Sequence, residues 1–499
     1  MTPDLREIQA ATSIPYRKRI PHRQLKRAER CLSRLQCSIQ AFVKGAEMQS
    51  PNILTPEQLS LIIDIPADRY ACYPSSAQFV NDFGADQYLA AISSSNGDPI
   101  PRRLSLHFSA PDNCKPVYCS DSPPPECRDE RQAGAYLNRL IREISLTGEL
   151  FDRDRDVVQI SLDPGLVTLL SPDQLSDLFD SSARHFHVLP IGCHDVAATI
   201  DAMHCGSHDL RAYQDLGINR ISFAIQSHYK GASGAKLVDE CRSAGIANVR
   251  VDVIYGFQYE HPEWVISTLR DILDAKPSRV GLRDCAHLPD TFRVPSVPSR
   301  TKADALTRAK ILLSGDNLLR EAGYLHLGMD VYVLPDDPLA EAQQGGHLYR
   351  DALGFGPHGE TDLIGFGVGA ISQIGTAYAQ SATHLRRWEA TIDAGQRTVR
   401  RGRVLDDDDV ARAALMQAIL CEGVVRLRNF EDRHMLDFAI YFENELAQLE
   451  QHAERGLVRL SSEEIRVTPL GRLTSRVIAA CFDRYRSRDA IPVGDRLKA

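Results

Sequence analysis

The sequence lacks any apolar run long enough to cross a membrane. No stretch of its 499 residues approaches the ~20 consecutive apolar residues of a spanning helix, and no apolar signal segment opens it. A strong charge of one sign is also missing, since 66 acidic and 58 basic residues give a formal net charge of −8. Such a balance argues against a surface that attracts nucleic acid as a whole. We therefore expect a soluble, cytoplasmic protein with no nucleic-acid partner and no membrane span.

The sequence also lacks the short signatures of several enzyme classes. The glycine-rich stretch "DLIGFGVGAISQIGTAYAQ" (362–380) has neither the lysine of a P-loop nor the full dinucleotide-binding spacing. Its glycines instead allow close backbone approach to a neighbour or ligand. No nucleophile elbow supports a serine hydrolase.

The twelve cysteines are scattered, which is typical of reduced thiols in a reducing compartment. Three of them, Cys114, Cys119 and Cys127, lie in the stretch "HFSAPDNCKPVYCSDSPPPEC" with the spacing C-x4-C-x7-C. Iron–sulfur ligands normally come in compact cysteine runs. Zinc sites usually combine one C-x2–4-C pair with a second pair of ligands, and Cys114 and Cys119 supply only the first pair. The spacing therefore favours free thiols. An iron–sulfur cluster, or a zinc site completed by a histidine such as His107, is the alternative.

Residues 1–50 are predicted to form a separate basic extension. The segment "YRKRIPHRQLKRAERCLSRLQ" has a helical apolar face through Leu25, Cys31 (or Ala28), Leu32 and Leu35. A solvated helix or a loose arm explains this pattern most simply. Contact with an acidic protein partner or a membrane surface is the alternative. A mitochondrial-type presequence is disfavoured because acidic residues interrupt the region.

From about residue 100, short apolar runs alternate with longer helical segments. Five runs indicate buried strands: "RRLSLHF" (102–108), "DVVQISL" (156–162), "NRISFAI" (219–225), "NVRVDVIYG" (248–256) and "SRVGLRD" (278–284). The helical segment "SPDQLSDLFDSSARHF" opens with Ser171 as a predicted N-cap before a proline. This alternation predicts βαβ units and a parallel sheet, closed into a full or partial barrel.

Polar residues at the carboxyl ends of these strands are candidate site residues, because ligands bind at that edge of such folds. They are His107, Asp163, Gln226, Asp252 and Arg283. Three further histidines, His185, His187 and His194, have metal-ligand spacing, but solvated or core histidines are commoner.

The remaining regions complete the predicted organisation. Residues 405–490 are predicted to be mainly helical, with a β-hairpin and helix of winged-helix type in "GLVRLSSEEIRVTPLGRL". We divide the chain into the basic extension 1–50, a segment 51–100 that packs on the barrel, the barrel 101–380 and a C-terminal helical domain 381–499.

Seven stretches along the chain match one family pattern in order. They are "DRYACYPSSAQFVNDFG", "GINRISFAIQS", "VDVIYGF", "CAHLPDTF", "GYLHLGMDVYVLPDDPLAEAQ", "GETDLIGFGVGAISQIGTAYAQ" and "VTPLGRL…CFDRY". Together they resemble the oxygen-independent coproporphyrinogen III oxidases, radical S-adenosylmethionine (SAM) enzymes of haem biosynthesis. The resemblance extends from about residue 55 to about residue 488. It implies a partial (βα)6 TIM-like barrel of the radical SAM type.

The resemblance also implies a chemistry. In the family, three cysteines spaced C-x3-C-x2-C hold a [4Fe–4S] cluster, which cleaves SAM to a radical that starts the decarboxylation of a propionate side chain. The corresponding positions here are Asn113, Val117 and Ser120, and no shift brings three cysteines into register. We therefore expect the cluster to be absent, and we assign no catalytic residue and no metal ligand.

The SAM-binding motifs of the family are also changed. Its glycine-rich turn reads "DPGLV" (163–167) here, and its SAM-contacting glutamate corresponds to Thr199 or Ala197. The aromatic residue before the cluster loop is His107, and a family histidine is replaced by Val331.

Four positions keep residues that line the family's two SAM sites. Gln226, Asp252, Ala286 and Ile371 are the cofactor-binding candidates, with SAM as the cofactor they permit. Each also has a structural explanation: Asp252 can anchor a helix, Gln226 can satisfy backbone groups, and the other two suit core packing.

These observations predict a divergent member of the porphyrin-biosynthesis lineage. The first hypothesis is a tetrapyrrole- or SAM-binding, or regulatory, homologue that has lost radical SAM cleavage. The alternative is an active oxygen-independent coproporphyrinogen III oxidase with an atypical cluster site. Methyl transfer from SAM is a third hypothesis, which the changed turn disfavours.

Overall fold

The computed structural model describes residues 55–111, 114, 130–202, 205–226, 234–288 and 302–486. The basic extension and its predicted partner contact lie outside this part of the chain, as do Cys119 and Cys127. No helix in the described ranges has the length and apolarity that a membrane crossing requires.

The described ranges contain eighteen strands in a thirteen-stranded, a two-stranded and a three-stranded sheet. The strands are β1 (Arg103–Phe108), β2 (Asp156–Leu162), β3 (His187–Val188), β4 (Asp195–Thr199), β5 (Arg220–Gln226), β6 (Asn248–Tyr255), β7 (Arg279–Asp284), β8 (Leu325–Gly328), β9 (Val331–Val333), β10 (Tyr349–Asp351), β11 (Gly354–Gly356), β12 (Thr361–Phe366), β13 (Ile371–Ile374), β14 (Ala377–Ser381), β15 (Val399–Val404), β16 (Val424–Arg426), β17 (Val458–Leu460) and β18 (Glu464–Val467).

The α-helices between them are α1 (Pro56–Ile63), α2 (Ala85–Asn96), α3 (Glu130–Gly148), α4 (Pro164–Leu169), α5 (Pro172–His185), α6 (Ser207–Asp215), α7 (Gly234–Ser243), α8 (Pro262–Asp274), α9 (Ala305–Glu321), α10 (Pro338–Gln344), α11 (Leu385–Asp393), α12 (Asp407–Gln417), α13 (Leu427–His434), α14 (Phe438–Tyr441), α15 (Glu443–Glu454), α16 (Pro469–Leu473) and α17 (Ser475–Ala479).

The large sheet confirms the predicted α/β class. Its middle is parallel, in the order β12-β1-β2-β4-β5-β6-β7. Antiparallel strands extend both edges, with β13-β14-β15 beside β12 and β9-β8 beside β7. The five strands predicted from apolar runs are β1, β2, β5, β6 and β7, each with bounds within one residue of the prediction.

Local sequence also places α5 as predicted. The side chain of Ser171 accepts a hydrogen bond from the amide of Gln174 at 3.3 Å, and Gln174 Oε1 accepts one from the amide of Ser171 at 3.0 Å. This reciprocal capping box satisfies two amides that the helix itself leaves unbonded.

The two faces of the parallel strands differ in polarity. Phe223, Val251 and Val253 belong to the outer face and are buried in a core that includes helix residues. Ser222 and Arg250 alternate with them, lie on the inner face and are half-buried. The sheet therefore has an apolar side under the helices and a polar inner side.

A second core lies in the C-terminal region. It includes Leu415, Ile465 and Val477, together with Leu327 and Phe355 from earlier in the chain. The predicted hairpin is present as β17–β18 and is followed by α16. The proposed domain boundaries stay predictions.

Candidate functional site

The inner face of the sheet carries small polar side chains. Thr199 at the end of β4 and Ser222 on β5 form a side-chain hydrogen bond of 2.8 Å. Ser161 on β2 lies in register with Ala197 on β4. All four are half-buried, whereas parallel sheets normally bury both faces. A few converging polar groups on one face are a feature that ligand sites share.

His107 shares this face. It lies on β1, in register with Ser161 on one side and Gly365 on the other, and it is half-buried. The sequence prediction that His107 ends a strand at the ligand edge therefore differs only slightly from the structure, in which Phe108 ends β1.

Asp252 lies within β6, where both of its carboxylate oxygens accept from arginines. Arg250 Nε donates to Oδ1 at 2.8 Å, and Arg283 Nη2 is 2.8 Å from Oδ2. A Cβ at Gly281 would lie 1.9 Å from Asp252 Oδ1, so the glycine leaves the space that the carboxylate occupies. Asp252 thus anchors two strand arginines. The helix-anchoring role considered from the sequence is not the one seen.

A second carboxylate extends this ion network. Arg69 Nη2 donates to Asp330 Oδ2 at 2.8 Å, and Arg283 Nε lies 3.7 Å from the same oxygen. Burial raises the pKa of Asp330, but the arginines, Arg69 foremost, outweigh burial and hold that pKa well below its usual value. Asp330 is therefore ionised and holds the side chain of Arg69 against the inner face.

Sequence reasoning singled out Arg283 and missed the other arginines of this network. Arg220 and Arg250 sit at inward positions of "NRISFAI" and "NVRVDVIYG", where a charged residue interrupts an apolar run. That interruption is the signal that could have identified them. Arg69 and Arg350 come from distant segments, so strand patterns carry no signal for them.

Gln226 lies at a strand end, as predicted, and Ala286 lies just after one. Gln226 is the buried last residue of β5, in register with Ile254 and on the same face as Asp252. Ala286 follows β7 in a short 3-10 helix, and its amide donates to Asp284 Oδ1 at 2.9 Å. The structure therefore brings Gln226 and Asp252 onto one face of neighbouring strands.

Ile371 is the first residue of β13, which lies beyond β12 toward the opposite edge of the sheet from β6 and β7. It is half-buried and pairs with Gln380 of β14. A Cβ at Gly365 would lie 2.6 Å from the carbonyl oxygen of Ile371, and one at Gly367 would lie 2.4 Å from that of Ser109. The close approach predicted for this glycine-rich stretch is therefore an approach to neighbouring backbone.

The turn after β2 forms a helix start. Asp163 caps α4 by accepting from the amide of Gly165 at 2.9 Å. A Cβ at Gly165 would lie 2.8 Å from both Ala110 Cβ and the carbonyl oxygen of Cys114. The single remaining glycine of this turn is therefore packed against the chain that leads into the cysteine stretch.

Cys114 is the one described cysteine of that stretch and is buried. The family's cluster positions, Asn113, Val117 and Ser120, lie outside the described ranges. Within those ranges, no group of three or more histidine, cysteine, aspartate or glutamate residues could hold a metal ion.

The three sequence-predicted histidines do not form one site in the described structure. His187 Nδ1 lies 2.8 Å from Asp156 Oδ1, and His194 Nδ1 lies 3.1 Å from the carbonyl oxygen of Pro190. Both side chains are bonded separately near the surface, as solvated histidines are.

Comparison with known proteins gives a consistent result. The HemN C-terminal domain model matches residues 405–474. The oxygen-independent coproporphyrinogen III oxidase of Pseudomonas aeruginosa is 32% identical over 438 residues, which cover 85% of this chain and 94% of that protein. The enzyme of the same name from Salmonella typhimurium is 31% identical over 434 residues, with 85% and 93% coverage.

A solved structure agrees with these relatives. Coproporphyrinogen III oxidase (HemN) from Escherichia coli, described as a radical SAM enzyme, matches with a TM-score of 0.74 and 29% identity over 84% of this chain and 98% of that one. The predicted radical SAM type of barrel is thus confirmed. The fold and the extent of these matches show that this chain belongs to the oxygen-independent coproporphyrinogen III oxidase family.

Proposed function

We propose that this chain is a family member that has lost the [4Fe–4S] cluster and the radical cleavage of SAM. It acts as a binding or regulatory homologue, with a tetrapyrrole or SAM as its ligand. The observation that carries the proposal is the cysteine spacing C-x4-C-x7-C, which places no cysteine at the three cluster positions. Without a cluster, no one-electron donor to SAM remains.

The turn at Gly165 supports this proposal. In the family pattern this turn accepts SAM through closely approaching backbone, which needs several glycines. Here Pro164 carries no amide hydrogen, and the space beside Gly165 is filled by Ala110 and Cys114. The residues of this turn do not fit the methionine end of SAM in the family manner.

The ion pairs of Asp252 also support the proposed loss of radical SAM cleavage. Its charge is already balanced by two arginines at 2.8 Å, so it offers SAM a weaker acceptor than an unpaired carboxylate does. Gln226, Ala286 and Ile371 remain available as ligand-lining residues, and we propose them in that role.

The test is metal and sulfide content after oxygen-free purification, followed by reconstitution with iron and sulfide. We expect no stoichiometric iron and no cleavage of SAM to methionine. Stoichiometric iron together with reductive SAM cleavage would overturn the loss of radical chemistry. A porphyrin titration tests the retained ligand, and a titration without any spectral change removes the tetrapyrrole part of the proposal.

The alternative function is the family's own reaction on an atypical cluster held by Cys114, Cys119 and Cys127. One observation favours it: relatives that match over 85% of the chain are named oxidases. Replacing Cys119 and Cys127 by serine in the reconstituted protein tests it, since loss of bound iron in both variants is expected only under this alternative.

A further inference from the structure

The inner face of the sheet presents more guanidinium groups than the proposed function explains. Five arginines lie on it or against it, and we call them the lumenal arginine cluster: Arg69, Arg220, Arg250, Arg283 and Arg350. Three of them form ion pairs of 2.8 Å with two carboxylates, Asp252 and Asp330. Arg220 and Arg350 do not share these short ion pairs.

Arg350 is buried, yet no hydrogen-bonded carboxylate in the described ranges contacts its guanidinium. Its Nη2 donates a long hydrogen bond of 3.3 Å to the carbonyl oxygen of Arg69. Its Nε has no partner among the described residues, and the group lies 5.0 Å from the ring centre of Phe355. Burial, helped by nearby Arg69, lowers the pKa of Arg350 to about 10. The group is still cationic at neutral pH, and a buried cation without a hydrogen-bonded counter-ion is unfavourable.

Arg220 is the second guanidinium without a close counter-ion. It opens β5 on the inner face, and its nearest described carboxylate is Asp195 at 3.7 Å. That distance exceeds the ~2.7–2.9 Å of a charge-assisted hydrogen bond. Its side chain is 13% exposed, and burial lowers the pKa of Arg220 to about 10.

The carboxylates near Arg220 and Arg350 mostly pair with other arginines: Asp330 with Arg69, and Asp337 with Arg279. Asp351 follows Arg350, and its Oδ1 accepts from the amide of Leu353 at 2.8 Å. Burial raises the pKa of Asp351 to about 6. Asp195 also lies 3.9 Å from His358. Neither carboxylate makes a short ion pair with Arg220 or Arg350.

We propose that the lumenal arginine cluster binds its ligand through an oxyanionic group, a carboxylate or a phosphate, which Arg220 and Arg350 contact. Guanidinium forks match the planar geometry of such groups. Asp252 acts as a positioning residue, because it holds two neighbouring arginines in place. The proposal deepens the proposed function and rests on its retained ligand chamber, for which it names the ligand chemistry.

The experiment uses the full-length chain and pairs of probes that differ in charge. Coproporphyrin III carries four carboxylates, and its tetramethyl ester is the matched uncharged probe, with absorbance change as the readout. Citrate and inorganic phosphate probe free small anions, with the thermal unfolding temperature as the readout. Arg220→Gln is the main variant and Arg350→Gln the second. Arg139→Gln is the control, since Arg139 pairs with Asp393 and Glu389 outside the cluster.

We expect charge-dependent binding that Arg220→Gln weakens at least tenfold and Arg139→Gln leaves unchanged. Binding of coproporphyrin but not of its ester identifies a tetrapyrrole carboxylate, whereas binding of citrate or phosphate alone identifies a free small anion. The inference is overturned if no anion binds, if the ester binds as tightly as the acid, or if Arg220→Gln binds as the parent does.

The two proposals fail separately. A reconstituted cluster with SAM cleavage overturns the proposed loss of radical chemistry. The titrations with charged and uncharged probes still show, independently of that result, whether the arginines bind an anion. Arg220→Gln keeps the test valid if Arg350→Gln does not fold, because Arg220 is partly exposed and makes a single 3.7 Å ion contact among the described residues.

Discussion

Arg155 and Asp362 form an ion pair with both side chains fully buried. Arg155 Nη2 lies 2.6 Å from Asp362 Oδ2. The same arginine donates to the carbonyl oxygen of Arg102 at 2.7 Å and to Asn96 Oδ1 at 3.0 Å. The pair connects the residue before β2 to β12, across the intervening β1. It therefore joins two parts of the chain that lie 207 residues apart in sequence.

Replacing Arg155 by methionine is expected to lower the free energy of unfolding by about 3–5 kcal/mol, because it leaves the buried Asp362 carboxylate without its counter-ion. The remaining hydrogen bonds, from Ser95 Oγ and the Gly375 amide, do not replace the lost charge. Urea denaturation of the full chain measures this loss. Arg139→Met is the control: it breaks a more exposed pair with Asp393, for which about 0–1 kcal/mol is expected. Equal losses of unfolding free energy in the two variants would show that burial does not strengthen the Arg155–Asp362 pair.

A pH dependence of stability is expected from Glu143 on α3. This fully buried carboxyl accepts from the amide of Gly367 at 2.8 Å and from Trp388 Nε1 at 3.2 Å. Burial raises the pKa of Glu143 from 4.5 to about 7. Between these two values the folded state binds more protons than the unfolded state, so stability falls as pH rises.

The measurement compares the parent with Glu143→Gln, which cannot ionise. The unfolding free energy of the parent relative to the variant should fall by up to about 3 kcal/mol as pH rises through this window. Chemical denaturation at several pH values gives the difference. A difference that stays constant with pH would contradict a raised carboxyl pKa at this position.

Gly281→Ala is expected to destabilise the chain. The new methyl group would lie 1.9 Å from Asp252 Oδ1 and 3.2 Å from Arg250 Nη2, so the ion network must move. Overpacking of this kind costs about 1–3 kcal/mol. Gly134→Ala within α3 is the matched control, because its nearest atom would be 4.0 Å away, and a stabilisation of about 0.5–1 kcal/mol is expected for a glycine inside a helix. Thermal unfolding of both variants shows whether the unfolding temperature falls for Gly281→Ala and rises for Gly134→Ala.

Thiol alkylation should separate the cysteines by burial. Cys193 is exposed, whereas Cys241, Cys421 and Cys481 are buried, and burial raises the pKa of each buried thiol to about 12. Because the thiolate is the reactive form, iodoacetamide should modify Cys193 in the native protein and the other three only after unfolding. Peptide mass spectrometry measures the order, and early modification of Cys421 would contradict the buried position.

Local patterns predicted the elements well. The apolar runs at 156–162 and 248–256 are strands because their side chains enter a core on one or both faces. Ser171 begins a helix because its hydroxyl satisfies an amide within reach of a few residues. Such features need no information from distant parts of the chain.

The candidate site was predicted less completely. Gln226 and Asp252 were identified, and the structure places them on one face of neighbouring strands. Their lining role remains a proposal. Arg69 and Arg350 were missed because their positions depend on hydrogen bonds to segments far away in sequence, such as the contact of Arg69 with Asp330.

The sequence alone determined the class of elements, their order and the family, since periodicity, capping and ordered motifs are all properties of short stretches. The tertiary structure decided which charges meet. Asp252 lies between Arg250 and Arg283 because β6 and β7 pair in parallel with Asp252 opposite Gly281. Strand order and register bring distant residues together, and no short stretch of sequence encodes the pairing by itself.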